Sequence, residues 1–249
     1  MSYNKLALIY DSLMEDTDYN RWADYLIWHI ERNQKISGKV LLDLGCGTGN
    51  LLIPLAKKGF KVIGVDISTD MLTQAEQKIR ENDLSIPLLQ QDIRNLTLDR
   101  STDVVISTFD TLNYILELKE LTKVFKNVNN ILNYNGLFIF DLNSEFKFSS
   151  VLGENIFTYN TEQIVYIWEN SYDRDTKICY MDLTFFILDE IDGKYLRFSE
   201  THIQKAYTQG EITKILAKTG FELLGVYGEL SFSEPQPQEE KIFFVARKC

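Results

Sequence analysis

Cysteine and histidine are scarce in this sequence, and neither residue type is clustered. The three cysteines, Cys46, Cys179 and Cys249, are far apart and form neither a Cys-x-x-Cys pair nor an even framework of the secreted kind. We therefore expect a reducing, cytoplasmic setting. The two histidines, His29 and His202, do not combine with cysteines or carboxylates at metal-ligand spacing, so we predict that no metal is bound.

Long apolar runs and basic clusters are also absent. No run approaches the ~18 apolar residues of a membrane span, and the N-terminal segment carries acids where a signal peptide would need a longer apolar core. The 26 Lys and Arg residues face 36 Asp and Glu, and the formal net charge is -10. The basic residues are scattered and offer no stripe to neutralise a nucleic-acid backbone. We expect a soluble monomer or homodimer with no nucleic-acid or membrane partner.

Short apolar strands alternate with amphipathic helices over the first part of the chain. A length of 249 residues with 45% hydrophobic content favours one core with an elaboration. Strands are predicted at residues 39–44, 61–66, 87–91, 102–108 and 137–142. Helices are predicted at 19–30, at 51–58, from 68 to 79, and from 118 to the neighbourhood of Gly136. Buried strands that alternate with helices predict a doubly wound α/β fold with a mostly parallel sheet.

The pattern changes after Asn143. From about residue 157 to residue 206, polar and apolar residues alternate as in antiparallel strands, with a hairpin turn predicted at Asp192-Gly193. A capping box formed by Thr208 and Glu211 then predicts a last helix, followed by closing strands at about 221–228 and 241–247. We therefore expect one domain at 1–143 plus 207–249, with an antiparallel β lobe inserted at 144–206.

The stretch LDLGCGTGN, residues 42–50, places glycines at positions 45, 47 and 49 between the first strand and the helix that follows. Such a turn lets backbone N–H groups approach a ligand closely. A dinucleotide-binding loop needs G-x-G-x-x-G, but here the third glycine comes one position early and Asn50 stands in its place. A P-loop needs a lysine that is missing here. The sequence therefore disfavours both a dinucleotide-binding loop and a P-loop.

The stretch Asp43-Leu44-Gly45-Cys46-Gly47-Thr48-Gly49 resembles the acid-x-G-x-G-x-G motif of class I S-adenosylmethionine-dependent methyltransferases. The resemblance continues at Asp66, after the second strand, and at Gln91-Asp92-Ile93. It implies a Rossmann-like domain whose last strand is antiparallel and whose cofactor is S-adenosylmethionine. It also implies that Asp66 accepts bonds from the ribose hydroxyls, while Asp92 and Ile93 flank the adenine.

The N-terminal segment is similar to that of a narrower subgroup. Tyr10-Asp11-x-Leu13-Met14 and Asp18-Tyr19-x-x-Trp22 resemble the lead-in of small-molecule methyltransferases, several acting on amines, that carry an inserted β lobe. The resemblance implies an N-terminal lid helix with Tyr10 and Trp22 against the methionine part of the cofactor. Because Tyr19, Trp22 and Leu26 share a helical face, simple packing of Trp22 in the core is an equal alternative.

The resemblance and the positions of the strand ends together predict the site. The predicted cofactor-binding residues are Tyr10, Trp22, Asp43, Gly45, Cys46, Gly47, Gly49, Asp66, Ile67, Met71, Asp92, Ile93, Phe109 and Asp110. The candidates for a catalytic role on the acceptor side are Tyr114, Asn143 and His202, and a packed or capping side chain is the alternative for each.

The function expected from these residues is methyl transfer from S-adenosylmethionine to a small molecule, with an amine as one candidate acceptor. The reaction does not require a dedicated catalytic dyad, because the leaving group departs neutral and positioning can carry most of the rate. A methyltransferase acting on RNA or protein is the alternative within the same fold. A noncatalytic module that binds S-adenosylmethionine is the alternative from a different class.

Overall fold

The structure is a computed structural model that describes residues 6–33 and 38–249. The predicted main domain also includes residues 1–5 and 34–37, which lie outside the described residues. The helices of the described part are α1 (Leu6–Leu13), α2 (Tyr19–Asn33), α3 (Leu52–Lys57), α4 (Thr69–Glu81), α5 (Leu118–Ile131) and α6 (Gln209–Lys218). Its strands are β1 (Val40–Leu44), β2 (Lys61–Asp66), β3 (Leu88–Gln90), β4 (Thr102–Ser107), β5 (Leu132–Asn143), β6 (Ile156–Asn160), β7 (Ile164–Asp173), β8 (Ile178–Asp189), β9 (Lys194–Lys205), β10 (Phe221–Gly228) and β11 (Lys241–Lys248).

The main sheet has seven strands in the order β3-β2-β1-β4-β5-β11-β10. β1 pairs in parallel with β2 and β4, whereas β11 is antiparallel to both of its neighbours. The order reverses between β1 and β4, and at such a switch point the strand ends leave a crevice for a ligand. The predicted α/β class, with a mostly parallel sheet and an antiparallel last strand, is confirmed.

Helices cover both faces of the main sheet because side chains of β1 alternate between two cores. Leu42 and Leu44 pack with residues of α5 and α6, such as Phe125 and Leu216. Leu41 points to the other face and packs with α2, α3 and α4. The loop after β1 is thus anchored between two fully formed cores, which is what a rigid ligand-binding turn requires.

The second sheet is the predicted antiparallel lobe, with strands in the order β6-β7-β8-β9. It is not isolated from the rest of the chain. Leu6 and Ile9 of α1, Met71 of α4, and Ile164 and Phe185 of the lobe belong to one apolar cluster. This cluster places α1 and the lobe beside the carboxyl end of the main sheet. The division of the chain into domains at residues 143 and 207 stays a prediction.

The predicted caps and one predicted boundary have different outcomes. Ser68 caps α4 by accepting a bond from the Met71 N–H at 3.2 Å, and Thr208 forms the predicted capping box with Glu211. The predicted extension of α5 to Gly136 is wrong. α5 ends at Ile131 and β5 begins at the next residue, because the backbone is extended at Leu132 and left-handed at Asn135.

Candidate active site

A large cavity opens at the carboxyl ends of the parallel strands. Its volume is about 650 Å³. The loop after β1, the ends of β2 and β4, and α1 form its walls. Most of the predicted cofactor residues line it, namely Tyr10, Asp43, Gly45, Cys46, Gly47, Asp66, Ile67, Met71, Asp92, Ile93, Phe109 and Asp110. The structure therefore brings together side chains from five separate stretches of sequence, although their contact with the cofactor stays a prediction.

The glycine loop turns tightly because its backbone N–H groups bond to β2. The N–H groups of Gly45 and Cys46 donate to the Val65 carbonyl oxygen at 2.7 and 3.0 Å. The Gly47 N–H donates to Oδ2 of Asp66 at 2.8 Å. Gly47 has a φ of 53°, and a Cβ built there would meet no atom within 4 Å. The backbone at Gly47 is thus left-handed and bare beside the cavity.

Asp66 ends β2 with both carboxylate oxygens anchored to the backbone. In addition to the bond from Gly47, its Oδ1 accepts from the Ser68 N–H at 2.8 Å. Burial raises the pKa of Asp66, and the backbone N–H donors oppose that effect. Each carboxylate oxygen has two lone pairs, so Asp66 retains the capacity to accept bonds from hydroxyl groups in the cavity.

Asp43 is a buried acid with one unmatched oxygen. It is 2% exposed, and its Oδ1 has no hydrogen-bond partner among residues 6–33 and 38–249. Burial raises the pKa of Asp43 to about 8, and the negative charges of Asp66 and Asp141 add to the effect. Burying an unmatched carboxylate costs free energy. A cationic or hydrogen-bond-donating ligand in the adjacent cavity would remove that cost.

Asp92 and Ile93 lie at the far wall of the cavity, after β3. Asp92 begins a short turn by accepting the Arg94 N–H at 2.9 Å, and the Arg94 guanidinium binds the same carboxylate with a closest distance of 2.5 Å. The Arg94 side chain is the main cause of a lowered pKa at Asp92. Ile93 is buried beside this ion pair. The wall thus combines a charged edge with an apolar face.

Helix α1 is fastened over the glycine loop by Asp11. Its Oδ1 accepts bonds from Thr48 Oγ1 at 2.6 Å and from Asn50 Nδ2 at 2.8 Å, and its Oδ2 accepts from Lys78 Nζ at 2.5 Å. Burial opposes ionisation of Asp11, but these bonds outweigh it and lower the pKa. The contacts hold the Tyr10 side chain in the cavity wall, where burial raises the pKa of the phenol.

Two of the predicted cofactor residues lie behind the cavity wall. Trp22 of α2 is buried and stacks on Phe109, with ring centroids 4.3 Å apart. Gly49 faces Ala75 of α4, whose Cβ would lie 3.0 Å from a Cβ built on the glycine. The structure therefore favours the core-packing interpretation of Trp22, and Phe109 stands between its ring and the cavity.

Tyr114 and His202 meet across the boundary between the two sheets. Tyr114 ends a short 3-10 turn (Thr111–Tyr114) after β4, His202 lies on β9, and the Tyr114 hydroxyl oxygen is 3.0 Å from Nδ1 of His202. Burial lowers the pKa of His202 below its ordinary 6.5, against the opposing charge of Asp110. The imidazole is therefore neutral near pH 7. Since Tyr114 lines the cavity, this pair can hold a proton at the cavity wall.

The third candidate on the acceptor side, Asn143, has a different position. It is 4% exposed and is not among the cavity-lining residues. Its Nδ2 donates to Oε1 of Gln204 at 3.2 Å, and its backbone N–H donates to Oδ1 of Asn113 at 2.9 Å. Asn143 therefore joins the main sheet to strand β9 of the lobe, which is a structural role.

Several cavity residues were missed from the sequence. They include Met14, Tyr19, Thr48, Asn50, Ser68, Arg94, Thr108, Thr111 and Ile115. Met14 and Tyr19 belong to the N-terminal motif and could have been found there. The remaining residues lie in the turns that follow the strands. The exact end of each strand must be known before the direction of these side chains can be predicted. Lys241, a buried lysine behind the cavity wall, was also missed, because its partners are 100 and 131 residues away.

Three further observations concern the whole described part of the chain. Within residues 6–33 and 38–249, no group of three or more His, Cys, Asp or Glu side chains is arranged to hold a metal ion. No helix of this part is long and apolar enough to cross a membrane. The three cysteines are free thiols.

Comparison with known proteins identifies the family. The profile of a family described as a methyltransferase domain matches residues 41–136. YqeM of Bacillus subtilis (strain 168) is named as an inferred methyltransferase. It is 36% identical to this chain over 249 residues, and the alignment covers 100% of this chain and 98% of the relative. The crystal structure of an S-adenosylmethionine-dependent methyltransferase from Clostridium acetobutylicum ATCC 824 has a TM-score of 0.89 and 37% identity, over 99% of this chain and 98% of that one.

A more distant solved structure shares the fold. S-adenosylmethionine-bound CalS10, described as an amino pentose methyltransferase from Micromonospora echinaspora, has a TM-score of 0.76 and 18% identity, with 97% of each chain covered. This likeness shows the fold alone. The full-length identity to YqeM and to the clostridial structure carries the family assignment. The predicted resemblance is thereby confirmed: the chain belongs to the S-adenosylmethionine-dependent methyltransferases, and S-adenosylmethionine is its cofactor.

Proposed function

We propose that this methyltransferase acts on a small-molecule acceptor, an amine or an alcohol, held between the main sheet, α1 and the lobe. The observation that carries the proposal is the contact between Tyr114 and His202. It places a proton-accepting pair, one member from the turn after β4 and one from β9 of the lobe, at the wall of the cavity lined by the predicted cofactor residues. A cavity of about 650 Å³ is of the size that small-molecule sites have.

The residues present fit the cofactor. Gly47 leaves backbone bare where a ligand must come close, Asp43 offers an unmatched carboxylate oxygen to a cation, and Asp66 has lone pairs left for ribose hydroxyls. Ile93 supplies an apolar surface for the adenine beside Asp92. When bound, S-adenosylmethionine supplies a methyl group carried on a positively charged sulfur. A nucleophile attacks the methyl carbon in line with the carbon–sulfur bond, and the sulfur is the leaving group.

The chain's own contribution is positioning, exclusion of water and removal of one proton. The Asp11 contacts hold α1 over the loop, and Tyr10 and Phe109 line the wall that the acceptor would face. As the acceptor's nitrogen or oxygen bonds to the methyl carbon, its proton leaves through the Tyr114 hydroxyl to Nδ1 of the neutral His202. No acid is needed, because the carbon–sulfur bond breaks to release a neutral thioether.

Charge and composition support a small acceptor over a nucleic acid. The net charge of -10 offers no general attraction for an RNA backbone. The fold is shared with CalS10, described as an amino pentose methyltransferase, which is consistent with an amine acceptor. Three separate free cysteines fit a reducing compartment such as the cytoplasm.

The acceptor class is tested with a radiolabelled methyl group. Purified protein is incubated with labelled S-adenosylmethionine and, separately, pooled small metabolites, total RNA and total protein. We expect label in the metabolite pool, because the cavity is roofed by α1 and is of small-molecule size. Label confined to RNA or protein would contradict the proposal, and absence of transfer to any pool would favour a noncatalytic binding module.

The role of the proton-accepting pair is tested by replacing its histidine. His202→Gln is expected to lower the rate of methyl transfer by about 100-fold or more, the usual contribution of a general base, with little change in cofactor affinity. The matched control is His29→Phe, since His29 is the other histidine and packs among aromatic rings of α2 and β10 outside the cavity. Because burial lowers the pKa of His202, the wild-type rate at saturating cofactor should stay flat above pH 6.5 and fall only in more acidic buffer. Equal rates in both variants would contradict the role.

The bare backbone of the loop is tested by Gly47→Ala. An added methyl group fills the space predicted for the cofactor, so the affinity for S-adenosylhomocysteine should fall by about 1–3 kcal/mol, measured by isothermal titration calorimetry. The control is Gly193→Ala in the lobe hairpin, which has a φ of 70° and equally open space around its Cβ. Both variants carry the strain of a left-handed alanine. Similar affinities in the two variants would place the cofactor elsewhere.

Proton release tests Asp43. With a pKa of about 8 in the free protein, Asp43 is mostly protonated at pH 7. A cationic cofactor beside it favours the ionised form, so binding should release up to roughly one proton at pH 7 and tighten as the pH rises through 8. Calorimetry in two buffers of different ionisation enthalpy measures the release. Asp43→Asn should abolish it, and an unchanged release in this variant would exclude Asp43 as the source.

A further inference from the structure

A lysine is buried directly behind the wall of the cavity. Lys241 begins β11 and is 5% exposed, although lysines are rarely buried without a partner. Its Nζ lies 3.4 Å from Oδ1 of Asp110 and 3.5 Å from Oδ1 of Asp141. The rings of Trp22 and Phe109 each approach the same nitrogen with centroids at 5.9 Å. The ammonium group is thus enclosed by two carboxylates and two aromatic rings.

Asp141 is the buried partner that fixes the backbone of the wall. It is 0% exposed and accepts the Phe109 N–H on Oδ2 at 2.8 Å and the Asp110 N–H on Oδ1 at 2.7 Å. Phe109 and Asp110 have φ values of 55° and 57°. Left-handed backbone at residues other than glycine is strained and persists only where the surroundings enforce it. The two hydrogen bonds to the Asp141 carboxylate hold the turn in this conformation.

Asp110 connects this turn to the lobe. Its side chain is 26% exposed and lines the cavity. Its Oδ2 accepts a bond from Nε2 of Gln204, on β9, at 2.6 Å. The Gln204 amide is itself oriented, because its Oε1 accepts from Asn143 Nδ2. One carboxylate in the cavity wall is therefore held from the main sheet on one oxygen and from the lobe on the other.

We propose that Lys241 is a positioning residue of the methyltransferase. It holds the left-handed Phe109–Asp110 turn in place through Asp141, and it fixes the Asp110 carboxylate at the cavity wall. Lys241 itself does not line the cavity and acts only through these residues. The inference rests on the proposed use of this wall for the cofactor. The shape and charge of the wall then depend on Lys241.

The electrostatic balance of the cluster supports this role. Burial opposes the charge of Lys241, but Asp141 and Asp110 outweigh it, so the pKa of the lysine lies above its ordinary value. Without the lysine, two carboxylates would share a buried region with no counter-charge. Removal of one partner from a buried ion pair is strongly destabilising, whereas replacement of the whole pair by neutral residues is often tolerated. Lys241 and Asp141 are therefore expected to behave as one unit.

The test compares Lys241→Met with Lys248→Met. Lys248 lies at the other end of β11, where its Nζ donates to the backbone oxygens of Asn129 and Leu132 at 2.6 and 2.8 Å. Lys241→Met should lower the affinity for S-adenosylhomocysteine by about tenfold or more, since charge-assisted bonds at a buried site are lost. Lys248→Met should leave that affinity unchanged. Calorimetry at a temperature where circular dichroism shows both variants folded provides the measurement.

A second readout needs no ligand. In the wild type, the Phe109 and Asp110 amides are bonded to Asp141, so hydrogen exchange of a peptide covering them should be slow. Exchange should accelerate in Lys241→Met and not in Lys248→Met. If the wild type failed to bind S-adenosylhomocysteine, the proposed cofactor site would be wrong, and the exchange data would still decide the positioning role.

A double variant that removes one positive and one negative charge allows the test even if a single variant fails to fold. Lys241→Met combined with Asp141→Asn removes both buried charges, and the asparagine can accept only one of the two N–H bonds. We expect this variant to fold, to bind S-adenosylhomocysteine weakly, and to lose less affinity than the sum of the single changes. Wild-type affinity and exchange in a folded Lys241→Met or in the double variant would overturn the proposal. Equal losses in Lys241→Met and Lys248→Met would overturn it too.

Discussion

Burial of negative charge at the carboxyl edge of the main sheet is the constraint on which the rest of the site depends. Asp43, Asp66, Asp110 and Asp141 converge there from β1, β2, the end of β4 and β5. Asp66 is matched by backbone N–H groups of the glycine loop and of α4, and Asp141 is matched by the turn after β4 and by Lys241. Asp43 keeps one oxygen unmatched among the described residues. The acids at this edge outnumber Lys241, which suits a cofactor with a positive sulfur.

The enclosure of this edge depends on parts of the chain that are distant in sequence. α1 is held by polar contacts of Asp11 on one side and by the apolar cluster with Met71, Ile164 and Phe185 on the other. α1 and the lobe therefore share a core. A shift of the lobe would alter the packing of α1, so the lobe and the wall that α1 gives to the cavity are physically linked.

Local sequence predicts the fold and much of the cavity lining well, because both depend on short-range rules. Strand, turn and helix follow one another within about 20 residues, and the loop at Gly47 and the acid at Asp66 lie at adjacent strand ends of a parallel sheet. Lys241 and Gln204 could not be assigned in this way, since their roles come from partners 131 and 94 residues away. Trp22 shows a different limit of local sequence. Its place on an apolar helical face fits both a lid residue and a core residue, and only the position of Phe109 favours the core.

The turn at Phe109 and Asp110 shows why these distant partners matter. Two left-handed residues in succession are unfavourable, yet they turn both side chains to the cavity directly after a fully buried strand. A wall built in this way depends on Asp141, which accepts both N–H groups, and the charge of Lys241 opposes the effect of burial on the pKa of Asp141. Gln204 meets the same turn from the lobe through a single hydrogen bond. A substitution of Gln204 can therefore release the Asp110 carboxylate on its lobe side while its contact with the buried lysine remains in place.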